Sequence, residues 1–583
     1  MNSTIGLIIL IFPALLPLFL AALLLLRPDS RRVSALGAWA ALPGILISAF
    51  MVPGTGTTAS WLLQGSEFGL DSIGRVFLFF TSTIWLAAGL YAYHWITDRD
   101  RGRFFTMFLL VMSGNIGLIV ARDMLAFYLF FTIMSIGAYG LVIHDRNQLA
   151  HHAGRIYMTF VIAGDMMILV AMLFAARYSD GVTFTAVRDS LANSPDRNLI
   201  IALVLLGFGI KAGLPGMHVT LPLIYRAAPI PAGAVLGGAM LNAGLLGWLR
   251  FLPFGAEGLD NWGKLLMAVG LFAAFYGAIV GLLQRSAKVV LAYSSISQMG
   301  IITLGIGVAL TAPDHTAEVL MVVTLYALHH AFAKTALFLG TGVAMRIPGR
   351  SILVGAALIL PALALTGAPL TTGMRAKEAL KETLSAAPLN WAGPAEALLP
   401  WMALATTLIV ARYWWLVRPW VASANAPAVR GGPLRLLLVW YVVLALVLVA
   451  AWLVPLTTSP QLWQPAIVWQ TSWPVLSGLV LAGLTVRVFR RSALQRPPSL
   501  PVGDVVAPGH RLSRTLIRAW LLFARRVLPA FTQDSAERVR GIFRNPIWGR
   551  FLEQTESRIS VWPVASTLFP LLILVMIGWV IFN

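Results

Sequence analysis

Ionisable side chains stand inside apolar runs that otherwise carry almost no charge. Asp165 lies in FVIAGDMMILVAM, and Lys211 lies in LLGFGIKAGLPGMH with His218 two turns on. His330 and Lys334 lie in LYALHHAFAKTALFLG, Lys377 and Glu378 in GAPLTTGMRAKEAL, and Lys288 follows Arg285 at the mouth of another run. His330 and Lys334 are four residues apart, so on a helix they project from one face. In a medium of low dielectric two neighbouring basic groups do not both hold a proton easily. An amine in that position takes up and releases protons, which is what a relay requires. The chemistry expected is therefore movement of protons or cations through a membrane, where ionisable groups are costly and usually functional.

The elements that must hold these groups are helices, two of them interrupted. Lys211 is followed by Gly213, Pro215 and Gly216, which should break its helix and free backbone carbonyls that need a partner or water. Lys377 follows Pro361, Gly367 and Pro369, so a second break is expected there. Paired interrupted helices with buried charge are a pattern of transporter sites. Each residue also has a plainer reading. Lys211 would only cap the freed carbonyls, His330 and Lys334 would form a satisfied packing network, Lys377 would snorkel to the interface, and Asp165 would serve only as a salt-bridge partner.

Composition agrees with a membrane setting. Of 583 residues 58% are hydrophobic and 11% charged, against roughly 25% charged in ordinary soluble domains. Apolar runs long enough to span the hydrocarbon core as helix recur throughout. With no cysteine, disulfides, Fe–S clusters and thiolate metal sites are excluded. No cofactor or metal site is expected, because neither a GxGxxG between strand and helix nor a phosphate-binding loop is present. The net charge of +20 sits in short loops and reads as a determinant of orientation rather than of nucleic-acid binding.

The sequence thus predicts an all-α polytopic membrane protein of about sixteen spans. The expected ranges are 4–26, 34–52, 70–95, 104–121, 123–143, 154–177, 198–217, 228–252, 261–283, 287–309, 318–345, 352–380, 398–416, 434–455, 467–488 and 560–582. The first run, from Ile5 to Leu26, lacks a basic leader and a small-residue cleavage site and reads as a retained span. With the N-terminus outside, the loops carrying Arg27, Arg99, Arg146, Arg285, Arg346, Arg418 and Arg487 all fall on the cytoplasmic side. Residues 508–558 mix apolar and basic positions at helical spacing, which predicts an amphipathic helix along the cytoplasmic membrane surface, able to meet anionic lipid. A final span follows it.

At these residues the sequence resembles the antiporter-like proton-translocating subunits shared by respiratory complex I, the group 4 membrane-bound hydrogenases including formate hydrogenlyase, and the Mrp cation/proton antiporters. The resemblance covers roughly residues 70–385 and rests on QRSAKVVLAYSSISQMG at 284–300, KAGLPGMH, APIPAGAVLGGAMLNAG, HHAFAKTALFLG and GAPLTTGMRAKEAL. The wording around RAAPIPAGAVLGGAMLNAGLLGWLRFLP is nearest to the large hydrogenase-associated member.

The resemblance implies two inverted five-helix repeats, each with a broken helix. The domains would be N-terminal helices 1–103, repeats 104–252 and 253–416, further helices 417–507, the lateral helix 508–558 and the last span 559–583. It also implies roles. Lys211 would be the buried lysine of the first half-channel, His330 and Lys334 the central relay, Lys377 with Glu378 the terminal site, and Asp165 the acid of a Gly-Asp pair found in long members.

Three positions depart from the family pattern. Thr132, in FFTIMSIGAYG, stands where a glutamate is usual, Asn242 where a lysine or histidine is common, and Ser286 where an aspartate opens the QRxxK loop. Threonine and asparagine do not carry protons as a carboxylate and an amine do. The first half-channel is therefore expected to be altered unless Asp165 replaces the missing acid, while the second half, from His330 to Lys377, is complete.

The leading expectation is an ion-translocating subunit in a bacterial-type inner membrane. It would move protons or Na+ with other membrane and peripheral subunits, and its own chain would hold no catalytic site. The alternatives are a gradient-driven uptake subunit of the inorganic-carbon transporter type and a non-transporting scaffold.

Overall fold

The computed structural model describes residues 3–62, 65–346, 351–386, 392–421, 433–456, 462–491 and 500–503. The chain opens with α1 (Ser3–Leu26), α2 (Arg31–Trp39) and α3 (Leu42–Phe50), then a short antiparallel hairpin of β1 (Thr55–Ala59) and β2 (Ser66–Leu70). There follow α4 (Ser72–Trp95), α5 (Asp98–Val120), α6 (Met124–Val142), α7 (Gln148–Ala176), α8 (Phe184–Ala192), α9 (Arg197–Ala212) and α10 (Thr220–Ala227). Next come α11 (Ile230–Val235), a π-helical turn (Leu236–Met240) and α12 (Leu241–Phe251), which together make one continuous rod. The remainder is α13 (Asp260–Leu282), α14 (Ala287–Thr311), α15 (Thr316–Arg346), α16 (Ser351–Thr366), α17 (Thr372–Ala386), α18 (Ala392–Val421), α19 (Pro433–Val449) and α20 (Pro465–Arg491).

Among the described residues thirteen helical segments are long and apolar enough to cross a membrane. Helix is the expected outcome in lipid, because every backbone N–H and C=O must be satisfied within the segment. The runs at 198–217 and 352–380 are broken helices, α9/α10 and α16/α17, as anticipated. The hairpin and α8 were not anticipated, since both lie in connections too short and mixed to show a period. The chain divides into two compact units, Met1–Val502 and Gly503–Asn583. The expected lateral helix 508–558 and last span 559–583 lie outside the described residues, as do Arg350, Arg430 and Arg496 of the basic loops.

Small residues let the helices approach closely. A Cβ on Gly263, Gly270 or Gly277 of α13 would lie 2.6, 2.5 and 2.6 Å from backbone atoms of Gly307, Gly300 and Ser297 of α14. These glycines recur every two turns, so the two helices meet backbone to backbone, as membrane helices do where no water drives them together. Large apolar side chains such as Phe19, Leu173, Phe272 and Val480 face outward.

Connections that the span count assigns to one side do meet there. At one end Phe68 of β2 bridges Ala121, Asp123 bridges Thr183, and Asp71 pairs with Arg122 at 2.5 Å and with Arg250. At the other, Arg346 donates to the Trp95 carbonyl at 2.9 Å, Arg103 to that of His144 at 2.8 Å and Lys288 to that of Ala228 at 2.7 Å.

Asp71 ties the first of these ends together. It also caps α4, accepting from the Gly74 N–H at 2.6 Å. Burial pushes its carboxyl up, but Arg250, Arg122 and the cap outweigh burial and hold it below the ordinary 3.8. A depressed carboxyl contributes stability that is fully present above its unfolded pKa and is lost as pH falls through the folded one. Acid should therefore begin to loosen this end below about pH 4, and Asp71→Asn should cost about 2 kcal/mol at neutral pH, between the ranges for exposed and buried pairs. Thermal unfolding of the purified chain against pH checks both; a variant with the wild-type midpoint and the same acid limb would remove Asp71 from the account.

Candidate functional site

The first break sets Lys211. α9 ends because Gly213 adopts a left-handed conformation (φ 78°), and Gly216 does so again (φ 83°) before α10 begins. This leaves Lys211 in the last turn of α9, buried, with its Nζ donating to Tyr157 Oη at 2.7 Å. Tyr157 Oη donates onward to the Ser135 carbonyl at 2.8 Å. Lys211 therefore does not cap the carbonyls of its own break; its partner is a hydroxyl on α7. The ring of Tyr157, 4.7 Å from the ammonium, and that of Phe131, at 5.9 Å, form an aromatic wall.

Asp165 lies two turns beyond Tyr157 on α7, so both reach the same face. It is buried, it interacts electrostatically with Lys211, and its Oδ1 has no hydrogen-bond partner among the described residues. A carboxyl on α7 therefore lies within electrostatic reach of Lys211. The hydroxyl of Thr132, on α6, is buried and has no hydrogen-bond partner among the described residues. Asn242 donates to the Gly238 carbonyl at 2.8 Å, while its Oδ1 has no hydrogen-bond partner among the described residues.

The second break sets Lys377. α16 stops at Thr366, the chain turns through Gly367 (φ 80°) and Leu370 (φ 66°), and α17 starts at Thr372. Lys377 Nζ reaches back to the freed Thr366 carbonyl at 2.7 Å. It points into the break and does not snorkel. Arg375 of the same helix binds the carbonyls of Ala451 and, at 2.9 Å, Val454, which anchors α17 to the end of α19.

Between the breaks runs α15, whose His329, His330 and Lys334 are buried. Lys334 Nζ donates to the Leu291 carbonyl of α14 at 2.8 Å. Neither ring nitrogen of His330 has a hydrogen-bond partner among the described residues, so His330 does not belong to a satisfied packing network. His329 Nδ1 lies 2.9 Å from Thr372 Oγ1, the first residue after the second break, and Nε2 is unpartnered. His330 feels the charges of Lys334 and His329, His329 feels Lys377, and Lys377 feels Glu378. A row of titratable groups therefore runs from Lys334 to Glu378. His329 was missed as a separate member of it, although the adjacent histidines were visible in sequence; residue spacing alone did not say that the first faces α17.

Close packing keeps this row in register. A Cβ on Gly373 would stand 1.8 Å from the Ala364 carbonyl and 3.0 Å from His329 Cε1. Gly373→Ala should force the two halves of the break apart and displace His329. A stability loss of about 2 kcal/mol or more is expected, together with loss of transport. Thermal unfolding and flux measured on one preparation check this, and an unaltered variant would mean that the break closes differently.

His218 and Lys288 sit elsewhere. His218, in the first break, faces α13 and α14, with Nε2 3.2 Å from Tyr276 Oη. Lys288 lines a cavity of about 400 Å³ with Asp100, His144, Asp145, Ser286 and Arg346. A second cavity of about 390 Å³ shares Asp100, His144 and Asp145 and adds Arg99, Arg103 and Arg146. Burial, aided by Arg103 and Arg146 against Asp100, pushes His144 down to about 4. Burial raises Asp145 against the pull of Lys288 and Arg103. This polar vestibule lies at the end that carries the basic loops.

Broken helices bearing lysines, joined by a helix bearing buried histidines and a lysine, make up a multi-pass membrane protein. Residues 121–391 match the family described as NADH:quinone oxidoreductase/Mrp antiporter, transmembrane. The chain is similar to hydrogenase-4 component B of Escherichia coli (strain K12), 30% identical over 288 residues, covering 47% of this chain and 42% of that protein. It shares its fold with a chain of the Mrp complex from Dietzia sp. DQ12-45-1b, with a TM-score of 0.70 at 21% identity, covering 90% of this chain and 62% of that one. It also shares it with a chain of an archaeal membrane-bound sulfane sulfur reductase, with a TM-score of 0.62 at 18% identity, covering 82% of this chain and 99% of that one. The chain spans about half the length of the curated relatives it matches.

Proposed function

We propose that this chain is the ion-translocating membrane subunit of a larger energy-coupling complex, of the kind built around complex I or a membrane-bound hydrogenase. Protons, or Na+ in a variant of the same scheme, move along Asp165–Lys211, the central Lys334–His330–His329 row and Lys377–Glu378. The observation that carries the reading is His330: a fully buried imidazole with both nitrogens open, set between an amine and a second imidazole that touches the next broken helix. Such a group is expensive to bury unless water or a passing proton satisfies it.

The helix order supports two repeats of five. Helices α5, α6, α7, α9/α10 and α11–α12 form one, and α13, α14, α15, α16/α17 and α18 form the other, each with its break in the fourth member. We place the vestibule of Lys288 and Asp145 on the cytoplasmic side of a bacterial-type inner membrane, with the N-terminus outside and residues 508–558 along the cytoplasmic surface. The missing acid at position 132 fits a dissipative uptake subunit about as well as a pump, so that position does not separate the two directions.

The test is reconstitution of the full chain with the subunits that co-purify with it. A pH-sensitive dye inside the vesicles should report proton entry when a potassium diffusion potential is imposed. Redox subunits among the co-purifying chains support the proposal. A carbonic-anhydrase-like partner redirects it to uptake, and vesicles that stay proton-tight overturn it.

A further inference from the structure

We propose that Thr372 fixes the tautomer of His329, holding the proton on Nδ1 so that Nε2 is the single nitrogen through which the ring takes up and returns protons. The assignment stands on hydrogen bonds alone, and its use in transport rests on the translocating reading above.

Two bonds meet at the Thr372 hydroxyl. Its oxygen lies 2.9 Å from His329 Nδ1, and it donates to the Val447 carbonyl of α19 at 2.7 Å. A hydroxyl has one proton and two lone pairs, and a carbonyl oxygen only accepts, so that proton is committed to Val447. Turning it toward the imidazole would set two bare oxygens against each other at 2.7 Å. It would also orphan a carbonyl in the last turn of α19, where intrahelical donors run out. Val447, Thr372 and His329 are all buried, so an orphaned acceptor there keeps its desolvation cost. The bond to the ring therefore runs from His329 Nδ1–H to a lone pair of Thr372.

The surroundings hold hydroxyl and ring in place. The neighbouring Thr371 caps α17, accepting from the Met374 N–H at 3.3 Å, which leaves Thr372 free of that duty. Arg375, three residues on, fastens the same helix to the Ala451 and Val454 carbonyls. Against the ring, Tyr326 stands edge-on at 6.1 Å between centroids and donates its own hydroxyl to Gln298 Oε1 at 2.9 Å. Gln298 Nε2 donates in turn to Thr406 Oγ1 of α18 at 3.1 Å.

With Nδ1 occupied, the neutral ring presents a bare Nε2, which has no hydrogen-bond partner among the described residues. A proton arriving in the row binds there and gives an imidazolium whose Nδ1–H still points at Thr372, in a bond strengthened by the charge. Release from Nε2 restores the starting ring. Passage through the ring, in at Nε2 and out at Nδ1, would need the Thr372 hydroxyl to hand its own proton to a carbonyl that has no means to carry it on. His329 is thus a one-sided acceptor, and Thr372 is the positioning residue that makes it so.

Nitrogen-15 NMR of the histidine-labelled full chain, with its co-purifying partners in proteoliposomes, reads the tautomer directly. The His329 signals are those lost in His329→Asn. At about pH 8, above the ordinary imidazole value of about 6.5, the wild type should show a protonated Nδ1 and a bare Nε2. Thr372→Val keeps the branched shape without the hydroxyl, so the ring should shift toward the Nε2–H form and flux should fall about tenfold or more. Thr372→Ser should restore both.

A wild-type ring carrying its proton on Nε2 overturns the assignment without recourse to any variant, and so does an unchanged spectrum in Thr372→Val. An altered tautomer with wild-type flux removes Thr372 from transport. Failure of the translocating reading shows separately, as normal conduction in Lys334→Ala with the His329 tautomer still on Nδ1.

Discussion

Lys334→Ala is expected to abolish proton flux through the reconstituted complex while leaving the chain folded. Lys334 is buried midway along α15, next to His330 on one side and the Leu291 carbonyl on the other. Removing it takes away the one amine of that helix at the centre of the row, and a relay that loses a proton-accepting group typically loses about a hundredfold or more in rate. Stability should hardly suffer. The Leu291 carbonyl keeps Ser295 as a donor, and deleting a buried basic group relieves a desolvation cost.

The combination is diagnostic: a structural lysine would lose stability and spare flux. Lys334→Arg should fail as well, since a guanidinium stays charged and does not release its proton. Dye-reported flux and a detergent melting curve on the same preparations check the pair of outcomes. Wild-type flux in Lys334→Ala would remove the central row from the mechanism.

Asp165→Asn is expected to harm both stability and transport, and Lys211→Met should repair only the first. With Asp165 neutralised, Lys211 is left in an aromatic pocket with Tyr157 as its hydrogen-bond partner and no carboxylate. Breaking a buried ion pair from one side typically costs about 3–5 kcal/mol if the remaining group stays charged. The double variant removes both charges, so its unfolding midpoint should lie above that of Asp165→Asn alone, with a coupling of about 1–3 kcal/mol. Flux should remain lost in both. Denaturant unfolding of the four proteins of the cycle measures the coupling directly. Additive effects would mean that Asp165 and Lys211 do not act on each other, and the first half-channel would again lack its acid.

The helical spans were readable because lipid imposes one rule, a run of apolar residues long enough to cross, and thirteen of the fifteen described runs form such helices, the runs at 198–217 and 352–380 being interrupted. The two breaks were readable for a local reason, glycines and prolines beside a lysine, and Gly213 and Gly367 do take up the left-handed conformation that a side chain resists. Asp71, Arg122 and Arg250 were not readable as a cluster. They lie at the ends of three separate elements, and nothing in their spacing says that β2, α5 and α12 end at the same depth.

The sequence by itself determined that this chain crosses a membrane many times, where its two helices break, and which amines and imidazoles are buried at the breaks and between them. Those follow from hydrophobicity and from backbone preferences, which act over a few residues. The tertiary structure alone decided that Asp165 lies within electrostatic reach of Lys211, that His329 turns toward Thr372, and that Lys377 reaches back to the Thr366 carbonyl. Such pairings depend on how helices distant in sequence are rotated against one another, and that rotation is set by close packing of small residues such as the α13–α14 glycines, a property of the folded whole.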